Sequence, residues 1–193
     1  SIMHSDSIAI LSSAGKNFRT KDVENPYRQH SDFLYIAGVN EPNLICLISK
    51  NNNEYKSILF RDNTSEHEKI WEGNRLDNEQ ISEKYDFPEI YNTSDCKEKI
   101  LNYIKDKKVI YVEKGLNDEI DNLVFKDLEK SKKDSQKEVA PLNLITQKLR
   151  LIKSNYEIKM IRDAAKVSVE AHKAAMKKSK PGIYEYELDA EIK

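Results

Sequence analysis

Glycine is scarce in this sequence, with five in 193 residues. No GxGxxG, P-loop or GxSxG pattern occurs, so phosphate-cradling loops and nucleophile elbows are not expected. Cysteine is scarcer still: Cys46 and Cys96 stand alone, without a CxxC partner. That spacing excludes a thiolate zinc site and fits a reducing cytoplasm. Neither charge sign is in excess, since 32 basic and 33 acidic side chains leave a net charge of −1. A non-specific nucleic-acid binder needs a basic excess to displace counterions, so that class is excluded. No apolar run approaches the roughly 20 residues of a membrane span. The first residues show no basic flank with an apolar stretch, so no secretory signal is expected. What is abundant is charge, at 34% of residues, with a mean hydropathy of −0.74. The length allows one domain with a real core and part of a second.

Pattern along the chain predicts an α/β fold. Ser7 to Ser12 reads as a short buried strand, ended by Gly15. Phe33 to Ile36 alternates Phe and Tyr against Leu and Ile, which reads as a strand covered on both faces and closed by Gly38. Asn43 to Lys50 and Tyr55 to Phe60, joined by Asn51-Asn52-Asn53-Glu54, read as a β-hairpin. Short helices follow, from Ser65 to Trp71 and from Asn78 to Tyr85, with caps offered before the first by Asp62-Asn63-Thr64. Residues 87–91 read as extended. Ser94 or Asp95 opens a helix to about Ile104, and Lys108 to Glu113 holds Val-Ile-Tyr-Val, a compact buried strand. Asn117 caps a helix with Ile120, Leu123, Val124 and Leu128 at helical spacing. The charged run Lys130 to Lys137 reads as a solvated loop. Leu142 to Leu151 is a short helix. Ser154-Asn-Tyr-Glu157 is a capping box opening a long helix to near Lys178, with Ile158, Ile161, Ala165, Val169 or Ser168, His172 and Met176 on one stripe. Another helix starts near Glu185. Strands alternating with helices after a hairpin predict a mixed β-sheet flanked by helices.

Few residues suggest chemistry on their own. His4, His30, His67 and His172 are isolated from one another, and no HExxH pattern is present. Carboxylates are plentiful but scattered, which singles out no acid–base pair. Cys46 lies in the apolar run Leu44-Ile45-Cys46-Leu47-Ile48 and reads as a small hydrophobe. Trp71, the sole Trp, reads by itself as an anchor filling a gap between helix and sheet. Arg150 reads either as a surface charge or as a structural ion-pair partner.

Several motifs point further. Tyr27-Arg28-Gln29, Asp32-Phe33-x-Tyr35 and Gly38-x-Asn40-Glu41-Pro42 come first. Trp71-Glu-Gly-Asn-Arg-Leu76, Leu149-Arg-Leu-Ile-Lys-Ser154 and Lys180-Pro-Gly-Ile-Tyr-Glu185 follow in order. Together they resemble the creatinase/prolidase N-terminal domain, and within that superfamily the Xaa-Pro aminopeptidase (aminopeptidase P) branch. The resemblance spans most of the chain. It implies domains at 1–140 (the N-terminal domain), 141–153 (a linker helix) and 154–193 (the start of a truncated pita-bread catalytic domain).

The resemblance also implies function. The whole enzyme would release the residue before a proline, using two manganese ions held by two Asp, one His and two Glu. In such sites the ions sit about 3.5–4 Å apart and clamp attacking and leaving groups. All five ligands are expected beyond Lys193, so no metal, no cofactor and no catalytic residue is expected within this chain, which alone would be inactive. Trp71 is similar to a tryptophan that walls a neighbouring subunit's active site, and Arg150 to an arginine that reaches the substrate cleft. Both are therefore candidate substrate-binding residues, an aromatic and a guanidinium being ordinary partners for a peptide. Tyr27, Arg28 and Asp32 read as a polar knot before the strand or as a subunit interface. The expected partners are peptides with proline second and further copies of the chain, with no nucleic acid and no membrane. The expected location is the cytoplasm. Two other readings share these motifs: a prolidase or creatinase-like hydrolase, and a non-catalytic protein-binding module of the same fold.

Overall fold

A computed structural model of the protein describes residues 2–126 and 137–193. Two compact units emerge, Ser1–Lys148 and Leu149–Lys193. The first is built on a six-stranded sheet: β1 (Ser7–Ser12), β2 (Ile45–Asn51), β3 (Glu54–Phe60), β4 (Glu89–Tyr91), β5 (Val109–Val112) and β6 (Glu138–Pro141). Their order in space is β4-β3-β2-β1-β5-β6. Only β2 runs against its neighbours. It pairs antiparallel with β1 and with β3, while β3–β4, β1–β5 and β5–β6 are parallel. The mixed sheet and its β2–β3 hairpin agree with the sequence pattern.

The sheet's two faces follow from the two-residue period of its strands. Ile8 and Ile10 of β1, Leu47 of β2, Ile58 and Phe60 of β3 and Ile110 of β5 share one face. There they pack with Cys96, Ile100 and Ile104 of α4 (Cys96–Ile104) and with Ile120 of α5 (Asp118–Asp121). The alternate residues Ala9, Leu11, Cys46 and Leu59, equally buried, turn the other way. Burying each such side chain contributes about 1.5–3 kcal/mol. Asn117 caps α5 as expected, its Oδ1 accepting from the N–H groups of Glu119 and Ile120. Beyond Asp121 the chain widens into a π turn, Asn122–Lys126, which keeps Leu123 and Val124 buried. Leu128 and residues 130–136 of the charged run lie outside the described residues.

The expected strand at Phe33 to Ile36 is in fact helical. These residues belong to α1 (Ser31–Ala37), which buries Phe33 and Ala37, one turn apart, and leaves Leu34 exposed. A run apolar on every residue carries no period of either kind, so alternation of type was no guide. Asp32 in the first turn suits the helix dipole. Gly38 at φ +74° ends α1 in the left-handed region, with its N–H on the Leu34 carbonyl at 3.0 Å. Gly38 does terminate the element, but the element is a helix.

Other boundaries shift less. Helix α2 (Glu66–Glu72) is capped by Ser65 rather than by residues 62–64, and α3 (Asn78–Tyr85) by Asp77. A 3-10 turn at Thr93–Asp95 leads into α4, and Asp95 makes no side-chain cap bond there. Strand β6 was not legible as a strand. It is short, lies at the sheet edge and ends in Pro141, which an edge tolerates. Helix α6 (Asn143–Leu151) follows, and Thr146 Oγ1 donates to Asp32 Oδ2 at 2.8 Å, fastening α6 to α1.

The second unit pairs α7 (Asn155–Lys178) with α8 (Glu185–Ile192), and Lys178 Nζ meets Glu191 Oε2 at 2.7 Å. The capping box at the head of α7 is present: Ser154 Oγ accepts from the Glu157 N–H at 3.2 Å, and Glu157 Oε2 from the Ser154 N–H at 2.6 Å.

Candidate functional site

Trp71 rides on a short helix that is well anchored at its start. Ser65 N–H and Oγ both donate to Glu68 Oε2 at 2.8 Å, and the Glu68 N–H returns a bond to Ser65 Oγ at 3.2 Å. Glu66 and Glu68 in the first turn complement the dipole. Gly73, at φ +82°, stops the helix. Trp71 is 77% exposed and Ile70 beside it is similarly so. The packing-anchor reading of Trp71 therefore fails: this indole fills no gap. His67, one turn earlier, lies with its ring centroid 6.2 Å from that of Trp71.

The segment bearing Trp71 returns to the sheet through one buried cation. Arg61 follows β3 and is 2% exposed. Its Nη1 donates to the Leu76 carbonyl and to Asn78 Oδ1, both at 2.9 Å, and its Nη2 pairs with Glu41 Oε2 at 3.0 Å. The planar fork is what lets one side chain serve three acceptors. Glu41 in turn belongs to the knot formed by the opening motif. Its carbonyl accepts from Tyr27 Oη at 3.0 Å and from Gln29 Nε2 at 2.8 Å. Gln29 is buried and fully engaged: Nε2 also donates to the Val39 carbonyl, and Oε1 accepts from the N–H groups of Ala14 and His30. Burial pushes the Tyr27 hydroxyl up to about 12, a bond with Ser13 opposing and nearby Glu41 adding. Of the three motif residues read as a knot or an interface, Tyr27 makes the knot and Asp32 holds α6. Arg28 remains exposed.

Sequence reasoning missed Gln29 and Arg61 as the centres of this network. Gln29 sits within a polar cluster and gave a faint signal. Arg61 follows the apolar run Ser57 to Phe60 and reads as the first solvated residue of a loop, so nothing marked it as buried.

Arg150 is exposed on the last turn of α6. It falls in the second unit and Trp71 in the first, so each is placed within its own unit. Each histidine has local surroundings of its own: His30 precedes α1, His67 faces Trp71, and His172 Nδ1 donates to the Ser168 carbonyl at 2.7 Å. His4 Nδ1 lies 3.2 Å from the Ser5 carbonyl. Among the described residues no group of three or more His, Cys, Asp or Glu is placed to hold a metal ion. The described residues therefore do not supply the ligand set of a two-metal centre. Both cysteines are buried thiols. The arrangement can present an aromatic surface from a fixed frame.

A six-stranded mixed sheet flanked by helices defines an α/β domain. Its kinship is specific. The sequence profile of the family "Aminopeptidase P, N-terminal domain" matches residues 1–111, and the chain belongs to that family. An Xaa-Pro aminopeptidase of Escherichia coli K12 is 34% identical over 200 residues, covering 98% of this chain and 45% of that protein. One from Haemophilus influenzae is 27% identical, again over 98% of this chain. Among solved structures, the low-pH form of E. coli aminopeptidase P superimposes with a TM-score of 0.87 at 30% identity. Proline aminopeptidase P II from Yersinia pestis gives 0.86 at 33%. Both cover 98% of this chain and 45% of theirs, so the chain spans a little under half the length of these relatives. No helix among the described residues is long and apolar enough to cross a membrane.

Proposed function

We propose that this chain is the N-terminal part of an Xaa-Pro aminopeptidase, shaping the substrate cleft and making subunit contacts while the metal-bearing half breaks the bond. The carrying observation is the likeness along 98% of the chain to E. coli aminopeptidase P, combined with an indole left 77% exposed on a helix fixed at both ends. Residues 1–140 act as the accessory domain, 141–153 as the linker and 154–193 as the opening of the catalytic domain. Trp71 provides an apolar wall for the peptide. Arg150 donates paired hydrogen bonds to a substrate carbonyl or carboxylate. Dedicated recognition is needed because the proline nitrogen carries no hydrogen and cannot be held as other amides are. A zinc-substituted form of the E. coli enzyme is known in complex with product, which supports a metal-dependent reaction. We assign manganese as the metal, self-association as the assembly and the cytoplasm as the location.

The test uses the gene product with its downstream residues, supplied with manganese. It should release the first residue from an Xaa-Pro tripeptide. Trp71→Ala and Arg150→Ala should each lower kcat/KM by about 10-fold or more, on the order of 1.4 kcal/mol of transition-state binding. Cleavage of dipeptides alone would replace this reading with a prolidase. No cleavage of either, with the chain folded and metal bound, would replace it with a binding module.

A further inference from the structure

The amino edge of the sheet carries a buried cation that is not neutralised. Lys107 is 4% exposed, yet its Nζ donates only to neutral oxygens, the Lys50 carbonyl at 3.2 Å and Asn51 Oδ1. Among the described residues no carboxylate lies within ion-pairing range of it, and one of its three N–H donors is unspent. A buried charge without a counter-ion costs free energy. Burial accordingly pushes the ammonium below the usual lysine value, with Asp6 and Asp106 acting the other way.

The same lysine lines a cavity of about 570 Å³ between the β2–β3 hairpin and the end of α4. Glu54 and Asp106 line it too, and neither has an ion-pair partner among the described residues. Lys56, the other cation there, is already taken by Glu89 at 2.6 Å. Tyr55 and Tyr103 supply aromatic walls. Opposite charges thus share one cavity without meeting. A ligand bearing both signs would complete each of them, whereas a simple anion would face two carboxylates and a simple cation would face Lys107.

We propose that this cavity binds a zwitterionic amino acid, its carboxylate on Lys107, its ammonium on Glu54 and Asp106, and its apolar side chain between Tyr55 and Tyr103. The site lies apart from Trp71 and stands on its own geometry, independent of the aminopeptidase reading. Its ligand class is nonetheless that of a product of peptide hydrolysis, which would make it a sensing site.

The experiment titrates the 193-residue chain, labelled with ¹⁵N, with L-phenylalanine. L-phenylalaninamide lacks the carboxylate and N-acetyl-L-phenylalanine lacks the ammonium; both serve as comparisons. Saturable shifts should appear in residues 51–56 and 102–107, with each comparison compound at least 10-fold weaker. Glu54→Gln with Asp106→Asn alters only exposed side chains and should weaken L-phenylalanine at least 10-fold. Lys107→Met should abolish binding, with the unperturbed remainder of the spectrum reporting that the fold survives. Equal binding of the three compounds, shifts elsewhere, no saturation, or an unchanged affinity in the doubly substituted chain would overturn the proposal.

Discussion

Replacing Arg61 by methionine removes the cation while keeping an unbranched apolar stem. Three acceptors then lose their donor: the Leu76 carbonyl, Asn78 Oδ1 and Glu41 Oε2, now at 2.9, 2.9 and 3.0 Å. A bond to a charged group contributes about 1.5–3 kcal/mol, but the three are coupled and do not add. The governing figure is the cost of leaving one member of a buried pair alone, about 3–5 kcal/mol. Glu41 is that member, its side chain only 14% exposed. Arg61→Met should therefore lower the stability of the first unit by about 3–5 kcal/mol in urea unfolding followed by far-UV circular dichroism. Arg61→Lys should recover less than half, because a single ammonium cannot reach three diverging acceptors. Adding Glu41→Leu to Arg61→Met should restore at least 1 kcal/mol by removing the stranded carboxylate. Amide exchange at the first turn of α3 should quicken in the single variant. A loss under 1 kcal/mol, or a doubly substituted chain weaker than the sum of its parts, would refute the claim that this cation fastens the Trp71 segment to the sheet.

Gly38→Ala should cost about 1–2 kcal/mol, because φ is +74° and a new Cβ would lie 3.1 Å from Tyr85 Cδ1. Gly115→Ala, at φ +92° with open space around it, should cost less by the steric share, and equal losses would deny that contact. Cys46 and Cys96, whose thiols burial pushes up to about 12, should resist a thiol reagent at neutral pH until urea exposes them. Prompt reaction of either in the native chain would show that it is not sealed. Tyr27 holds its proton in the fold to about 12 against an ordinary 10.0. Its contribution is thus whole below pH 10 and is lost as pH rises toward 12. Tyr27→Phe should flatten the decline of stability across that window, and an unchanged slope would contradict it.

Legibility in the sequence followed physical cause. Strand β1 was bounded to the residue because it is an apolar run closed by serines, and helix α3 was bounded likewise, with the structure adding the Asp77 cap and Gln80 three positions on that fix its start. The hairpin was marked by Asn52-Asn53 between two apolar runs. The segment 33–36 misled because an unbroken apolar run is compatible with either backbone, and what decides is where Phe33 and Ala37 find their neighbours. Strand β6 depends on pairing with β5, a partner nearly thirty residues back, and shows no local sign. At the candidate site, Trp71 stood out as the single indole, but its exposure is a tertiary fact. Arg61, Gln29 and Lys107 look in sequence like dozens of other polar residues. Burial of a charge is decided by what folds over it, and no short window contains that information.

The pairing of β6 with β5 bears on how this protein can be divided. The family match ends at residue 111, part-way along β5, and a piece cut there would lack the strand that runs beside Val109 and Ile110. Its bare ladder of amides and carbonyls would invite another copy to add itself on, the usual origin of sheet-to-sheet clumping. In the intact chain that border is occupied, and the new outer strand carries Glu138 and Pro141, residues poorly suited to recruiting a further one. Any working excision of this domain should therefore run at least through Thr146, the residue that ties α6 back to α1.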